Sequence, residues 1–157
     1  MIGRFLDVGR DERGTSVVEL ALLAPVLALF LVGMVDISRA VADRLRLEQA
    51  AQRAIERQMQ GQETSGTFAN LATDAASAAG VAVGNVAVTP WRECNGAIVG
   101  SGAAYYTSTC TAGQAEAAYL QVVVTKPFTP TFGTQFFPGA NANGTVTITG
   151  EAGIRIK

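Results

Sequence analysis

The dominant hydrophobic pattern is an unbroken apolar run near the start of the chain. Leu20 to Val35 carries no charge, and the run extends back to Thr15 with Glu19 as its one charged position. Thr15 to Val35 is 21 residues. As an α-helix rising about 1.5 Å per residue it covers roughly 31 Å, close to the hydrocarbon thickness of a bilayer. From Asp36 to Gln60 the polarity changes, but helical character does not. This stretch has no Gly or Pro and is rich in Ala, Leu, Arg, Glu and Gln, which are good helix formers. Leu47, Ala50, Ala51, Ala54 and Ile55 form an apolar stripe. Arg39 and Asp43, Arg44 and Glu48, and Arg53 and Glu56 stand at ion-pairing spacings. The two segments are expected to form one helix of about 45 residues, some ~65 to 70 Å long. Pro25 lies within it, a bend that membrane helices tolerate when neighbours compensate. The stripe suits packing on the chain's own C-terminal part or on helices of other subunits, and the pattern leaves both open.

Gly61-Gln62-Glu63-Thr64-Ser65-Gly66 reads as a linker. Thr67 to Ala79 reads as a short helix. Thr67 is its expected N-cap, Phe68, Leu71, Ala72 and Ala75 share one face, and Gly80 is the terminator. After Gly80 the period falls to two. Val81 and Val83, then Val86 and Val88, suggest a strand broken at Gly84-Asn85. Tyr119 to Thr125 is β-branched and partly alternating, and Pro127 and Pro130 are expected to end it. In Gly144 to Lys157, Val146, Ile148, Ile154 and Ile156 alternate with polar residues. Gly150 and Gly153 mark a bulge or turn there, and Ala103 to Thr109 is a weak extra strand.

The expected class is α+β. A long N-terminal membrane-spanning helix continues into a soluble helix, followed by a short second helix and a small antiparallel sheet of three to four strands. The expected divisions are a leader (1–14), a transmembrane helix (15–35), an extended soluble helix (36–60) and an extracytoplasmic α+β domain (61–157).

Composition narrows the chemistry. The chain has 157 residues, a net charge of −1 and no His. The commonest metal ligand and general base are therefore missing, and no basic block invites nucleic acid. Ser16, Thr64, Ser65 and Ser101 have no His to activate them. Glu93, Glu116 and Glu151 are scattered, and the glycines between Gly80 and Gly113 lack the Lys-Ser/Thr of a phosphate loop. The expectation is a non-enzyme without a cofactor or metal. Cys94 and Cys110 are the two cysteines and form no CxxC pair. In an exported domain they read as one disulfide, with two buried thiols as the alternative.

Glu19 is the oddity of the apolar run, because a carboxylate near the start of a membrane segment is costly and is rarely kept without a use. Three readings compete for the segment. A cleaved secretory signal is too short, and Gly33-Met34-Val35-Asp36 lacks its small-residue cleavage pattern. A plain signal anchor fits the length. A segment cut on its cytoplasmic side after Gly14 also explains Gly14 and Glu19, since the cut gives Thr15 a free amine as partner for Glu19. Charge does not set the topology. Arg4, Arg10 and Arg13 precede the run, while Arg39, Arg44, Arg46 and Arg53 follow it. The cysteine pair and the polar C-terminal part favour an outside C-terminus.

Glu19-Leu20-Ala21-Leu22-Leu23-Ala24-Pro25, followed by Gly33-Met34-Val35-Asp36-Ile37-Ser38-Arg39, resembles the N-terminal signature of TadE/TadG-like proteins. These are pilin-like minor subunits of bacterial tight-adherence (Tad/Flp) pilus systems. The likeness is strongest over residues 13 to 39, and a weaker one covers the run Val122 to Phe128 and the final strand. It makes Pro25, Gly33, Asp36 and Arg39 family-motif residues. It implies a prepilin peptidase cut at the Gly14–Thr15 bond, and other pilin-like subunits, pilus assembly proteins and the lipid bilayer as partners. The implied location is the inner membrane, single pass, with the C-terminal domain outside and a place in the surface pilus open to it. Leu20 stands where major Flp pilins resemble a Glu-Tyr pair, which implies a minor subunit or pseudopilin. The alternative is an unprocessed membrane-anchored envelope protein with a binding or adhesive outer domain, for which Tyr105-Tyr106 and Phe136-Phe137 are the aromatic pairs.

Overall fold

The computed structural model describes residues 15–60, 68–131, 133, 134, 137 and 139–157. The expected leader with Gly14, the linker 61–66, Thr67 and Phe136 lie outside them. Helix α1 runs unbroken from Thr15 to Met59 through Pro25, 45 residues in all. Helix α2 spans Ala69–Ala79 and ends at Gly80 in the left-handed conformation, φ 68°. That residue type lets the backbone N–H groups after the last turn reach back to the Ala76 and Ser77 carbonyls. Strands β1 (Val86–Cys94), β2 (Ala97–Ser101), β3 (Glu116–Phe128) and β4 (Val146–Arg155) pair antiparallel in the order β2-β1-β3-β4. The fold is the α+β arrangement of a long apolar helix, a short helix and a small antiparallel sheet.

The core lies between the helices and one face of the sheet. Alternation along β3 sends Ala118, Leu120, Val122 and Val124 inward, where they are at most 1% exposed. Leu47, Ala51, Ala54 and Ile55 of α1 meet them, together with Leu71 and Ala75 of α2. The apolar stripe of α1 thus packs on the chain's own sheet. Burying a side chain such as Leu47 or Leu71 contributes about 1.5 to 3 kcal/mol. Where α1 crosses β4, a Cβ on Gly150 would collide with the backbone of Leu47 and Glu48. Glycine there lets helix and strand approach closely, and the residue is buried.

Several local expectations are corrected by tertiary context. The glycines at 150 and 153 make no bulge, since β4 pairs with β3 in one continuous register from Val146↔Phe128 to Arg155↔Tyr119. Pro127 does not end β3, which continues to Phe128. The β1 ladder stops at Val86↔Val124, so at Pro127 that side of β3 has no neighbouring strand, and the missing N–H is tolerated. Pro90 is placed likewise, one residue before the β2 ladder begins at Trp91↔Ser101. Val81 and Val83 are not strand. Val83–Asn85 is a 3-10 turn, and β1 starts after it. Ala103 to Thr109 is not a strand either. Gly102–Tyr106 forms a 3-10 turn, and the extra strand is β2 just before it. The signal missed was Asn95-Gly96, whose positive φ values (51° and 81°) make the two-residue turn that returns β1 onto β2. Of the expected helix pairs, Arg44 and Glu48 meet at 3.0 Å. Asp43 instead pairs with Lys126 on β3 at 2.9 Å, and Arg39 turns to Asp36.

Candidate membrane anchor and docking helix

The N-terminal half of α1 stands clear of the domain. Val17, Leu20, Leu23, Leu27, Phe30, Leu31 and Val35 are all more than half exposed. In water such a surface would be strongly unfavourable, and it suits burial in lipid. Among the described residues this is the one helix long and apolar enough to cross a membrane. Thr15, the first described residue, is already helical, and Glu19 is exposed one turn later. Residues four apart lie on one helix face, so the first residue of α1 and the carboxylate share a side. Pro25 sits inside the span without interrupting the helix. No described atom lies within 4 Å of a Cβ built on Gly33, so its small size answers to no contact within the described domain.

Asp36, the first charge after the apolar run, is 1% exposed. The Thr131 backbone N–H donates to its Oδ2 at 2.7 Å, and the Thr131 hydroxyl donates to Oδ1 at 2.8 Å. Arg39 lies 3.8 Å from Oδ1 and places its guanidinium 5.7 Å from the Phe128 ring centre. A buried carboxylate needs such partners, because desolvation without them is prohibitive. Asp36 therefore ties the segment after β3 to α1 at the level where the apolar run ends. Spacing marked Asp36 as a motif residue. Its partner Thr131, 95 positions away, left no signal in the sequence.

A second cluster holds the opposite end of the sheet. Cys94 and Cys110 are joined, with their Cα atoms 5.6 Å apart. Beside them Arg92 donates to the Ser108 carbonyl, lies over the Tyr105 ring at 4.9 Å, and pairs with Glu116 at 3.2 Å. Glu116 also meets Lys157, whose hydrogen bond holds its carboxyl below the usual carboxylate range. Tyr105 and Tyr106 pack on Phe68, at 6.0 and 6.2 Å between ring centres, and Phe137 packs on Phe128 at 6.3 Å. Tyr105, Tyr106 and Phe137 thus contribute to packing, with Tyr106 remaining 47% exposed.

An exposed apolar helix that runs straight into a small helix-on-sheet domain fits the plan of an α+β protein with a single-pass membrane anchor. Residues 14–55 match the family model of TadE-like proteins, so this helix is TadE-like in sequence. TadE-like proteins are pilus-associated structural proteins. The matched stretch takes in Thr15, Glu19, Pro25, Gly33, Asp36 and Arg39 together with most of the core-facing stripe. No curated protein and no solved structure gives a match to the chain.

Proposed function

We propose that the protein is a pilin-like minor subunit, or pseudopilin, of a Tad/Flp-type pilus. It is processed by a prepilin peptidase after Gly14 and anchored by residues 15–35 in the inner membrane, with its α+β domain outside the cytoplasm. The observation that carries this reading is the TadE-like helix itself. The match begins at residue 14, Thr15 is already helical, and an exposed carboxylate follows one turn later on an otherwise apolar surface. Cutting before Thr15 places a free amine at the start of that helix. Its charge suits Glu19 of a neighbouring subunit, which would otherwise lie ionised against lipid. The Cys94–Cys110 disulfide supports an oxidising compartment for the domain. Other pilin-like subunits and assembly proteins are the partners this reading calls for.

The test is the mass of the mature protein from membranes, with and without the prepilin peptidase. The expected product lacks residues 1 to 14, and Gly14→Val retains them because the bulky side chain blocks the cut. An intact leader in the presence of the peptidase would replace this reading with an unprocessed, membrane-anchored envelope protein.

A further inference from the structure

We propose that the base of the α+β domain is seated in the bilayer interface, with Thr129, Thr131 and Ala140 in contact with lipid. This deepens the membrane-anchor reading and rests on it. The Asp36–Thr131 hydrogen bonds fix the height of the segment, placing Thr131 beside the first residue after the apolar run. Val32, within the last turn of the span, is half-buried, unlike Leu31 and Met34. The domain thus reaches down to the level where hydrocarbon ends.

The charge distribution fits that depth. From Pro127 to Gly150 the chain has no Asp, Glu, Lys or Arg. The next ion pair up the domain is Asp43–Lys126, seven residues and about 10 Å further along the helix than Asp36. Between them the only charges on α1 are Asp36, which is buried, and Arg39, whose guanidinium lies over the Phe128 ring while the side chain remains 59% exposed. On the same stretch Ile37 and Val41 are 59% and 52% exposed and continue the apolar surface above Val35. The headgroup layer is about 5 to 8 Å deep on each side of the hydrocarbon. A layer of about 10 Å, poor in charge and bearing exposed apolar groups, matches it.

Lack of charge alone would not choose this end. Cys94 to Ala115 carries only Cys, small, polar and aromatic or aliphatic residues and is uncharged as well. It lies at the other end of β3, where Cys94 pairs with Glu116, while Phe128 and Thr131 lie toward the span. The continuity with the apolar helix selects the Thr131 end, and the Cys110 end supplies the control.

The experiment uses the full chain in vesicles of phosphatidylethanolamine and phosphatidylglycerol, with acyl chains brominated near the ester end. Single tryptophans are placed in a Trp91→Phe background, which keeps the aromatic stack on Tyr119. Thr129→Trp and Ala140→Trp report on the base, Ala112→Trp on the far end, and Leu27→Trp on the span. The expected result is loss of most of the emission from Leu27→Trp, Thr129→Trp and Ala140→Trp, with Ala112→Trp unchanged. If Leu27→Trp is quenched but both base positions behave like Ala112→Trp, the seating is overturned while the anchor stands. If Leu27→Trp is not quenched either, the anchor reading fails and the seating with it.

Discussion

Asp36 is costly to bury and is buried completely. Its two oxygens accept from the backbone and the hydroxyl of Thr131, so one carboxylate sets both position and orientation of the chain after β3. A hydrogen bond to a charged group contributes about 1.5 to 3 kcal/mol, and deleting the acceptor leaves the donor to find water. Asp36→Ala is therefore expected to destabilise the domain by roughly 3 kcal/mol, while Asp36→Asn, which keeps the size and one acceptor, loses less. Denaturant unfolding of the detergent-solubilised chain, followed through the Trp91 signal, measures both; equal stability of wild type and Asp36→Ala would remove the clamp. Glu116 shows residue chemistry of another kind. Its folded pKa is lowered, first by the Lys157 hydrogen bond. The stabilisation is thus present above the ordinary carboxylate pKa and is lost as pH falls through the lowered folded value. The protection of the Ile156 and Lys157 amides, which close on the Ala118 carbonyl, taken relative to intrinsic exchange at each pH, is expected to fall in that acid window, and Glu116→Gln is expected to abolish the fall.

At the scale of elements, helices were the most legible. Composition without Gly or Pro, and a stripe at helical spacing, marked one long helix, and α1 is one helix to Met59. Strand boundaries were less so. Pro127 and Pro90 reside within strands because each stands where the neighbouring ladder has not begun or has ended. Gly150 lies in an uninterrupted ladder because α1 comes too close for a side chain. The hairpin β1–β2 and the turn Gly102–Tyr106 are closed by the disulfide, whose cysteines are 16 positions apart. A loop of about 15 residues cross-linked in this way stabilises by roughly 3 kcal/mol in the chain-entropy model. Reduction, or Cys94→Ser with Cys110→Ser, is expected to lower the unfolding midpoint by that order. The Arg92 contact to Ser108 and its place over Tyr105 should loosen first. Unchanged midpoints with and without reductant would show that the bond contributes nothing.

For the molecule as a whole, the division of α1 is what matters. Its second half is consumed by the chain's own core, with Leu47, Ala50, Ala51 and Ala54 at most 2% exposed. From Val17 to Leu31 it is exposed along its whole length, a surface that suits lipid or other subunits. On the function proposed above, contacts between subunits fall to the exposed span and its single carboxylate. Glu19→Gln keeps the shape and hydrogen-bonding capacity of the side chain and deletes the charge. The expected variant is still cut and still inserted but enters the pilus machinery poorly, as read by co-purification of partner subunits and by pilus assembly. Wild-type assembly in that variant would leave Glu19 as a solvated edge residue.

The sequence alone determined what depends on local composition and spacing. An apolar run of bilayer length, the motif from Glu19 to Arg39, the helical stripe, and two cysteines in a chain without His are all readable one window at a time. They led to the α+β class and to the TadE-like helix that the family match then found. Only the tertiary structure decided where the stripe packs, because a helix face says that it must be buried and not against what. Only it decided that Asp43 meets Lys126 and not Arg39, and that Asp36 meets Thr131. Those partners lie 83 and 95 positions away, beyond any periodicity. They are chosen by the register of β3 against α1, which is set by the close approach at Gly150 and the fit of Leu120, Val122 and Val124 under the helix.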